Sequence, residues 1–169
     1  SELMEVTGGE VADAKSWWYF IDYTWDRGKW KASDVPGEHS LTLTKQNQQI
    51  PLKRLSCNKA SEMLGIWMSP NGDQQEMIKH LRAEALKWAD KIKAGHPSPI
   101  VAWTALHQTI SAKLKYCLPI CRFSKKDCTY IMAPAIAIGL QKSGIAKNFP
   151  TAARHAPILK GGLHAMHMY

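Results

Sequence analysis

The sequence predicts a segregated α+β fold, a small antiparallel sheet followed by a three-helix bundle. Three observations predict it. Up to about residue 70, short runs rich in aromatic and β-branched residues alternate with turn residues. After residue 72 the apolar period changes from two to about 3.6. No strand–helix–strand alternation appears, which argues against a doubly wound nucleotide-binding sheet.

Residues 1–14 read as the end of a helix, with Leu3, Met4 and Val6 as apolar positions and Gly8-Gly9 as the stop. Ser16 to Trp25 holds Trp17, Trp18, Tyr19, Phe20, Ile21, Tyr23 and Trp25, the composition of a buried strand. Asp26-Arg27-Gly28-Lys29 makes a turn, Trp30 begins a return, and residues 32–39 form a polar loop. Leu41 to Thr44 and Ile50 to Leu55 form a hairpin around the tip Gln46 to Gln49. Met63 to Met68 is a further short apolar strand, broken by Ser69-Pro70-Asn71-Gly72.

Three helices follow, near residues 73–94, 98–115 and 124–142. In the first, Ile78, Leu81, Ala85, Trp88 and Ile92 form the stripe, Asn71 or Asp73 is the cap, and Gly95 is the stop. Ser98 before Pro99 opens the second, whose stripe is Trp103, Leu106, Ile110 and Leu114. Ser124 with Asp127 three residues on opens the third, with Cys128, Ile131, Met132, Ala135 and Ile136 facing the core. Pro134 inside it predicts a kink or break. The chain thus divides into a β-rich lobe over residues 1–70, a helical lobe over 71–144 and an irregular tail over 145–169.

At 169 residues, 45% hydrophobic and 21% charged, the chain is an ordinary globular one rather than a disordered or low-complexity one. The longest nearly charge-free apolar run, Tyr130 to Leu140, is too short to span a bilayer, and no secretory signal is apparent at the N-terminus. The first residue is Ser, so the chain reads as processed or as a piece of a longer one. Cys57, Cys117, Cys121 and Cys128 form no C-x-x-C pair and are expected to be reduced thiols, which points to an intracellular compartment, cytoplasmic or nuclear.

Charge is the most informative feature. Residues 1–109 carry 13 basic and 13 acidic side chains, whereas residues 110–169 carry 9 basic and one acidic, Asp127. All of the net charge of +8 therefore lies in the last third of the chain. A one-sided basic lobe suits a polyanion, and a nucleic-acid backbone first of all. Lys113, Lys115, Arg122, Lys125 and Lys126, which bracket the end of the second helix and the start of the third, are the expected phosphate contacts. Lys79 and Arg82 are second choices because acids lie beside them, and the helix start at Ser124 adds backbone N–H groups for which Asp127 competes.

Signals for other chemistry are weak. Cys117-x-x-x-Cys121 has loose zinc spacing but encloses Pro119 and lacks a second pair, and Cys128 falls on an apolar stripe, so no metal site is expected. His164-x-x-His167 reads as a surface feature. Asp13, Asp22, Asp26 and Asp34 include no adjacent pair that would hold two divalent ions. There is no nucleophile elbow, no phosphate loop and no dinucleotide fingerprint. The aromatic run Trp17 to Phe20 reads as core packing rather than as a base-stacking platform.

Taken in order, five stretches resemble the C-terminal part of a retrotransposon-type reverse transcriptase, of the diatom- and oomycete-like retroelement kind. They are Thr7-Gly8-Gly9-Glu10-Val11 with Lys15-Ser16 and the aromatic strand; Ala60 to Trp67 with its central Leu64-Gly65; Ser69-Pro70-Asn71-Gly72 leading to Trp88-Ala89; Ala102-Trp103 through Pro119; and Ile131 to Ala135 followed by Pro150, Pro157 and Gly161-Gly162-Leu163. The resemblance covers nearly the whole chain and implies the end of a palm and a thumb. It implies that Lys15 lies near the phosphates of an incoming nucleotide. It also implies that Met63, Leu64, Gly65, Ile66 and Trp67 form a primer-grip strand and that the helices grip a template–primer duplex. The family's Tyr-x-Asp-Asp motif is absent from the sequence. It is expected upstream of Ser1, with the fingers and the rest of the palm. The chain alone is therefore expected to hold no cofactor and to be inactive, the Mg²⁺ belonging to the parent polymerase. The partners implied are template–primer nucleic acid and those missing parts, with no membrane. Two other readings stay open: a stand-alone basic nucleic-acid-binding module, and an interaction domain for an acidic protein.

Overall fold

A computed structural model describes Ala12 and residues 16–45, 48–146, 148–165 and 167–168. The chain is α+β, and it divides into two units, Ser1–Met63 with Trp67–Asp73, and Leu64–Ile66 with Gln74–Tyr169. The expected helix at residues 1–14 lies outside the described residues, apart from Ala12.

The β-rich unit is built from short pieces rather than one sheet. Strands β1 (Trp17–Trp18), β5 (Gln48–Arg54) and β4 (Leu41–Lys45) form a three-stranded sheet in that order. The hairpin β4–β5 is antiparallel as expected, but β1 runs parallel to β5, with Trp17 opposite Lys53. The stretch 16–25 is not one buried strand. It breaks at Tyr19-Phe20, where the Tyr19 hydroxyl lies 2.9 Å from Ser61 Oγ and the Phe20 carbonyl accepts from the Val35 N–H at 3.0 Å. Beyond the break, β2 (Ile21–Asp26) pairs with β3 (Lys29–Asp34) in a separate hairpin, so the return strand reaches into the segment expected to be loop. Its two-residue turn, Arg27-Gly28, has φ of 48° and 78°, the primed geometry that matches strand twist.

This hairpin shows its aromatics to solvent. Trp25 and Trp30 are 62% and 65% exposed and meet edge-to-face across the strands, with centroids 5.1 Å apart. Cross-strand ring contact, not burial in a core, holds them. Among the described residues, the unit's buried ones are Leu55 and Cys57, just beyond β5. Around them Arg54 donates to the carbonyls of Gly37 and Val35, and the Trp18 indole donates to the Leu52 carbonyl at 3.1 Å.

Asp34 fastens the loop after β5. Its carboxylate accepts from the Ser56 hydroxyl at 2.6 Å and from the Cys57 N–H at 2.7 Å. These two bonds, the Ser56 one first, hold its pKa below the ordinary aspartate value. A depressed carboxylate stabilises the fold above its unfolded pKa, and that contribution is lost as pH falls through the folded one. Asp34→Asn should therefore unfold this unit more readily than wild type at neutral pH, with the difference vanishing in acid. Denaturant unfolding followed by tryptophan fluorescence across a pH series checks this.

The helical unit follows the period closely. Helix α1 (Gln75–Gly95) buries Met77, Ile78, Leu81, Ala85 and Ala89. Trp88 is only half-buried, and its indole N–H donates to Thr109 Oγ1 at 2.8 Å. Neither Asn71 nor Asp73 caps α1. Its N-cap is Gln74, and the left-handed residue that ends it is His96, one beyond Gly95. Helix α2 (Pro99–Ala105) starts on a Ser98 cap with Pro99 in the first turn. It continues through a π-helical turn (Leu106–Ile110) into α3 (Ser111–Lys115). The wide turn is held at Leu106, whose carbonyl accepts both the N–H and the hydroxyl of Ser111. Leu106, Ile110 and Leu114 are buried, joined by Ala102.

Helix α4 (Lys125–Lys142) has the expected reciprocal cap between Ser124 and Asp127. It passes through Pro134 without breaking. A proline at 134 removes the N–H that would bond the carbonyl of Tyr130, and the Arg82 guanidinium of α1 donates to that carbonyl instead. Gly139 brings α4 against Leu106, since a Cβ there would lie 3.0 Å from Leu106 Cδ1. The tail is more ordered than expected. Helix α5 (Thr151–His155) and a 3₁₀ turn (Ile158–Lys160) precede a reversal that lays Leu163, His164 and Ala165 back along α5. Among the described residues no helix is long and apolar enough to cross a membrane.

Candidate nucleic-acid interface

The five expected phosphate contacts separate into two groups. Lys113 and Lys115 stand two residues apart on α3, nearly opposite one another around a helix. Lys113 turns to α1 and forms an ion pair with Glu84. That hydrogen bond, ahead of the general pull of the charge, holds the Glu84 carboxyl below its ordinary range. Lys113 thus ties α3 to α1 through this pair. Lys79 is similarly paired with Glu76, and Arg82 is committed to Tyr130, standing 4.2 Å from its ring centroid as well as bonding its carbonyl.

Lys115, Arg122, Lys125 and Lys126 are exposed. Among the described residues none of Lys115, Arg122 and Lys126 forms an ion pair with an acid. The start of α4 offers less to an anion than its position suggests. The Ser124 N–H and hydroxyl both donate to Asp127 Oδ2, at 3.0 and 2.6 Å, and the Asp127 N–H donates back to Ser124 Oγ.

The residues assigned through the resemblance fare unevenly. Lys15 lies outside the described residues. Met63 to Trp67 is not a continuous strand but a hairpin of β6 (Ser61–Met63) and β7 (Ile66–Met68). Leu64 and Gly65 form its turn, with φ of 52° and 79°, and Leu64 is 85% exposed. Ile66 is buried, and the Tyr116 hydroxyl donates to the Leu64 carbonyl at 3.1 Å.

Two adjoining clefts in the helical unit had no expected role. A polar one of about 270 Å³ is lined by His107, Ser111 and Lys115 from the second helical stretch and by His155, His164 and His167 from the tail. A larger one of about 420 Å³ has an apolar floor that includes Met132, Ile136 and Leu140 of α4, with Lys125, Arg154 and again His155 and His167 at its rim. Lys115 and Lys125 therefore border clefts that share two histidines. The sequence signal was the density of histidine in the tail, but only the chain reversal at Gly161-Gly162 brings those residues to Lys115. His164 takes φ of 50°, so the His164-x-x-His167 spacing is not a helical one.

The three cysteines of this unit are core residues. Burial, then the neighbouring Cys121, pushes the Cys117 thiol up to about 12, and burial also raises Cys121 and Cys128. All three are therefore neutral thiols near neutral pH. Among the described residues no group of three or more His, Cys, Asp or Glu side chains is placed to hold a metal ion.

No protein-family model, curated protein or solved structure matches the chain. The arrangement itself can bind phosphate groups by charge and hydrogen bonding. Exposed Lys and Arg without acid partners supply affinity that does not depend on base sequence.

Proposed function

We propose that the helical unit grips the backbone of a nucleic-acid duplex, as the thumb-like part of an RNA-directed DNA polymerase whose catalytic carboxylates are not in this sequence. The single observation that supports this reading is the charge: nine basic side chains and one acid over residues 110–169, with the acid, Asp127, occupied by Ser124. Lys115, Arg122, Lys125 and Lys126 carry the grip, and Lys113 does not. The β6–β7 hairpin is the element offered to a primer strand, through its turn rather than along a strand. The setting is a reducing compartment, cytoplasmic or nuclear, in keeping with four free cysteines.

The test is fluorescence anisotropy with two RNA–DNA duplexes of unrelated sequence. Lys125→Ala with Lys126→Ala should weaken both equally, by about tenfold at low salt, as expected for two lost phosphate contacts. Lys113→Ala should change affinity far less. Loss for one sequence alone, or undiminished binding by the double variant, overturns the assignment of the lysines. Binding to an acidic protein with no affinity for either duplex favours the interaction-domain reading instead.

A further inference from the structure

We infer that the polar cleft between the second helical stretch and the tail is a phosphate-binding site whose affinity rises as pH falls through the imidazole range. The chemistry of its walls carries this. Four imidazoles, one ammonium and one hydroxyl line a cleft of about 270 Å³, and no carboxylate is among its described lining residues. Histidines in such number suit either a metal or an anion. The ammonium of Lys115 among them favours an anion over a cation.

Each wall contributes in a distinct way. Lys115 provides a permanent positive charge from α3. His107, from the π-helical turn, has a buried Nε2 with no hydrogen-bond partner among the described residues. Burial first, then His164 and Lys115, keeps its ring neutral to a lower pH than an ordinary histidine. An anion in the cleft reverses the second and third of these effects, so binding draws a proton onto the ring. From the tail, His155 donates its Nδ1–H to the Ala165 carbonyl at 2.8 Å. Its neutral ring therefore presents Nε2 as an acceptor, and protonation turns that atom into a donor. His167 packs edge-on against His155, with centroids 4.9 Å apart, and His164 completes the wall. Lys125 and Arg154 at the adjoining cleft add positive charge, and the acid of the last sixty residues, Asp127, is turned to Ser124.

The ligand class is a phosphate group, either free or in a nucleic-acid strand. The strand as occupant rests on the duplex-binding reading; the affinity for phosphate does not. The test uses the full chain and inorganic phosphate, followed through the histidine Cε1–H resonances. Those of His107, His155, His164 and His167 should move saturably with phosphate, and His107 should titrate at higher pH when phosphate is present. His39, His80 and His96 should not respond. Lys115→Gln, an exposed substitution that leaves the core intact, should weaken phosphate about tenfold. A parallel series with a duplex should bind about tenfold more tightly at pH 6 than at pH 8, and His107→Gln with His164→Gln should flatten that difference. Phosphate shifts without duplex binding would keep the cleft and end the duplex reading. Duplex binding that is independent of pH, with no selective phosphate shifts, would do the reverse.

Discussion

Gly162→Ala should unfasten the C-terminal segment while leaving the helical bundle standing. A Cβ at this position would lie 2.1 Å from the Ala156 carbonyl oxygen and 2.4 Å from its carbon, both backbone atoms that cannot swing aside. The backbone around it is tightly bonded. The Leu163, His164 and Ala165 N–H groups donate to the carbonyls of Ala153, Ala156 and Arg154 at 2.9–3.0 Å. Relieving the overlap must lengthen these bonds, at a local cost of roughly 1–3 kcal/mol. That corresponds to about fivefold to 150-fold faster amide exchange at residues 163–165, with α1 and α4 still protected. Because the reversal positions His164 and His167, the same substitution should abolish the selective response of the histidines to phosphate. Unchanged protection at residues 163–165 would mean that the reversal does not depend on the missing side chain.

Arg82 and Pro134 should be energetically coupled. The Tyr130 carbonyl has lost its helical donor to Pro134 and takes the Arg82 guanidinium in its place, which also stands over the Tyr130 ring. Arg82→Met should destabilise the protein by about 1–2 kcal/mol, the value of one charge-assisted hydrogen bond with a partly exposed cation–π contact. Pro134→Ala restores an N–H that can bond Tyr130 from within the helix. In that background the cost of Arg82→Met should fall by about 1 kcal/mol. Urea unfolding of the two single variants and the double variant closes the cycle. Equal costs in both backgrounds would show that the guanidinium does not stand in for the missing amide.

The helices were legible because each signal is local. Ile78, Leu81 and Ala85 repeat at helical spacing, Ser98-Pro99 and Ser124 with Asp127 mark two starts, and all of these fall where expected. Pairing of the strands was not legible. Trp17 finds its partner at Lys53, and nothing within the aromatic run shows that it must break at Tyr19. The turn at Leu64-Gly65 was hidden because a leucine at positive φ is unfavourable and its neighbours are apolar. At the candidate site, the basic side chains were evident from composition. Their division was not, since Lys113 meets Glu84 from 29 residues away. The histidine cleft needed the reversal at Gly162, a matter of close backbone approach that no periodicity announces.

The salt dependence of duplex binding by the wild-type chain tests the central claim most directly. The proposed grip uses four exposed basic residues, Lys115, Arg122, Lys125 and Lys126. About four neutralised phosphates predict a slope of about −3 to −4 when the logarithm of the binding constant is plotted against that of salt concentration. The slope should be the same for both unrelated duplexes and shallower by about one to two in the variant lacking Lys125 and Lys126. Affinity that does not change with salt, or no binding to either duplex at low salt, would contradict a phosphate grip by this helical unit.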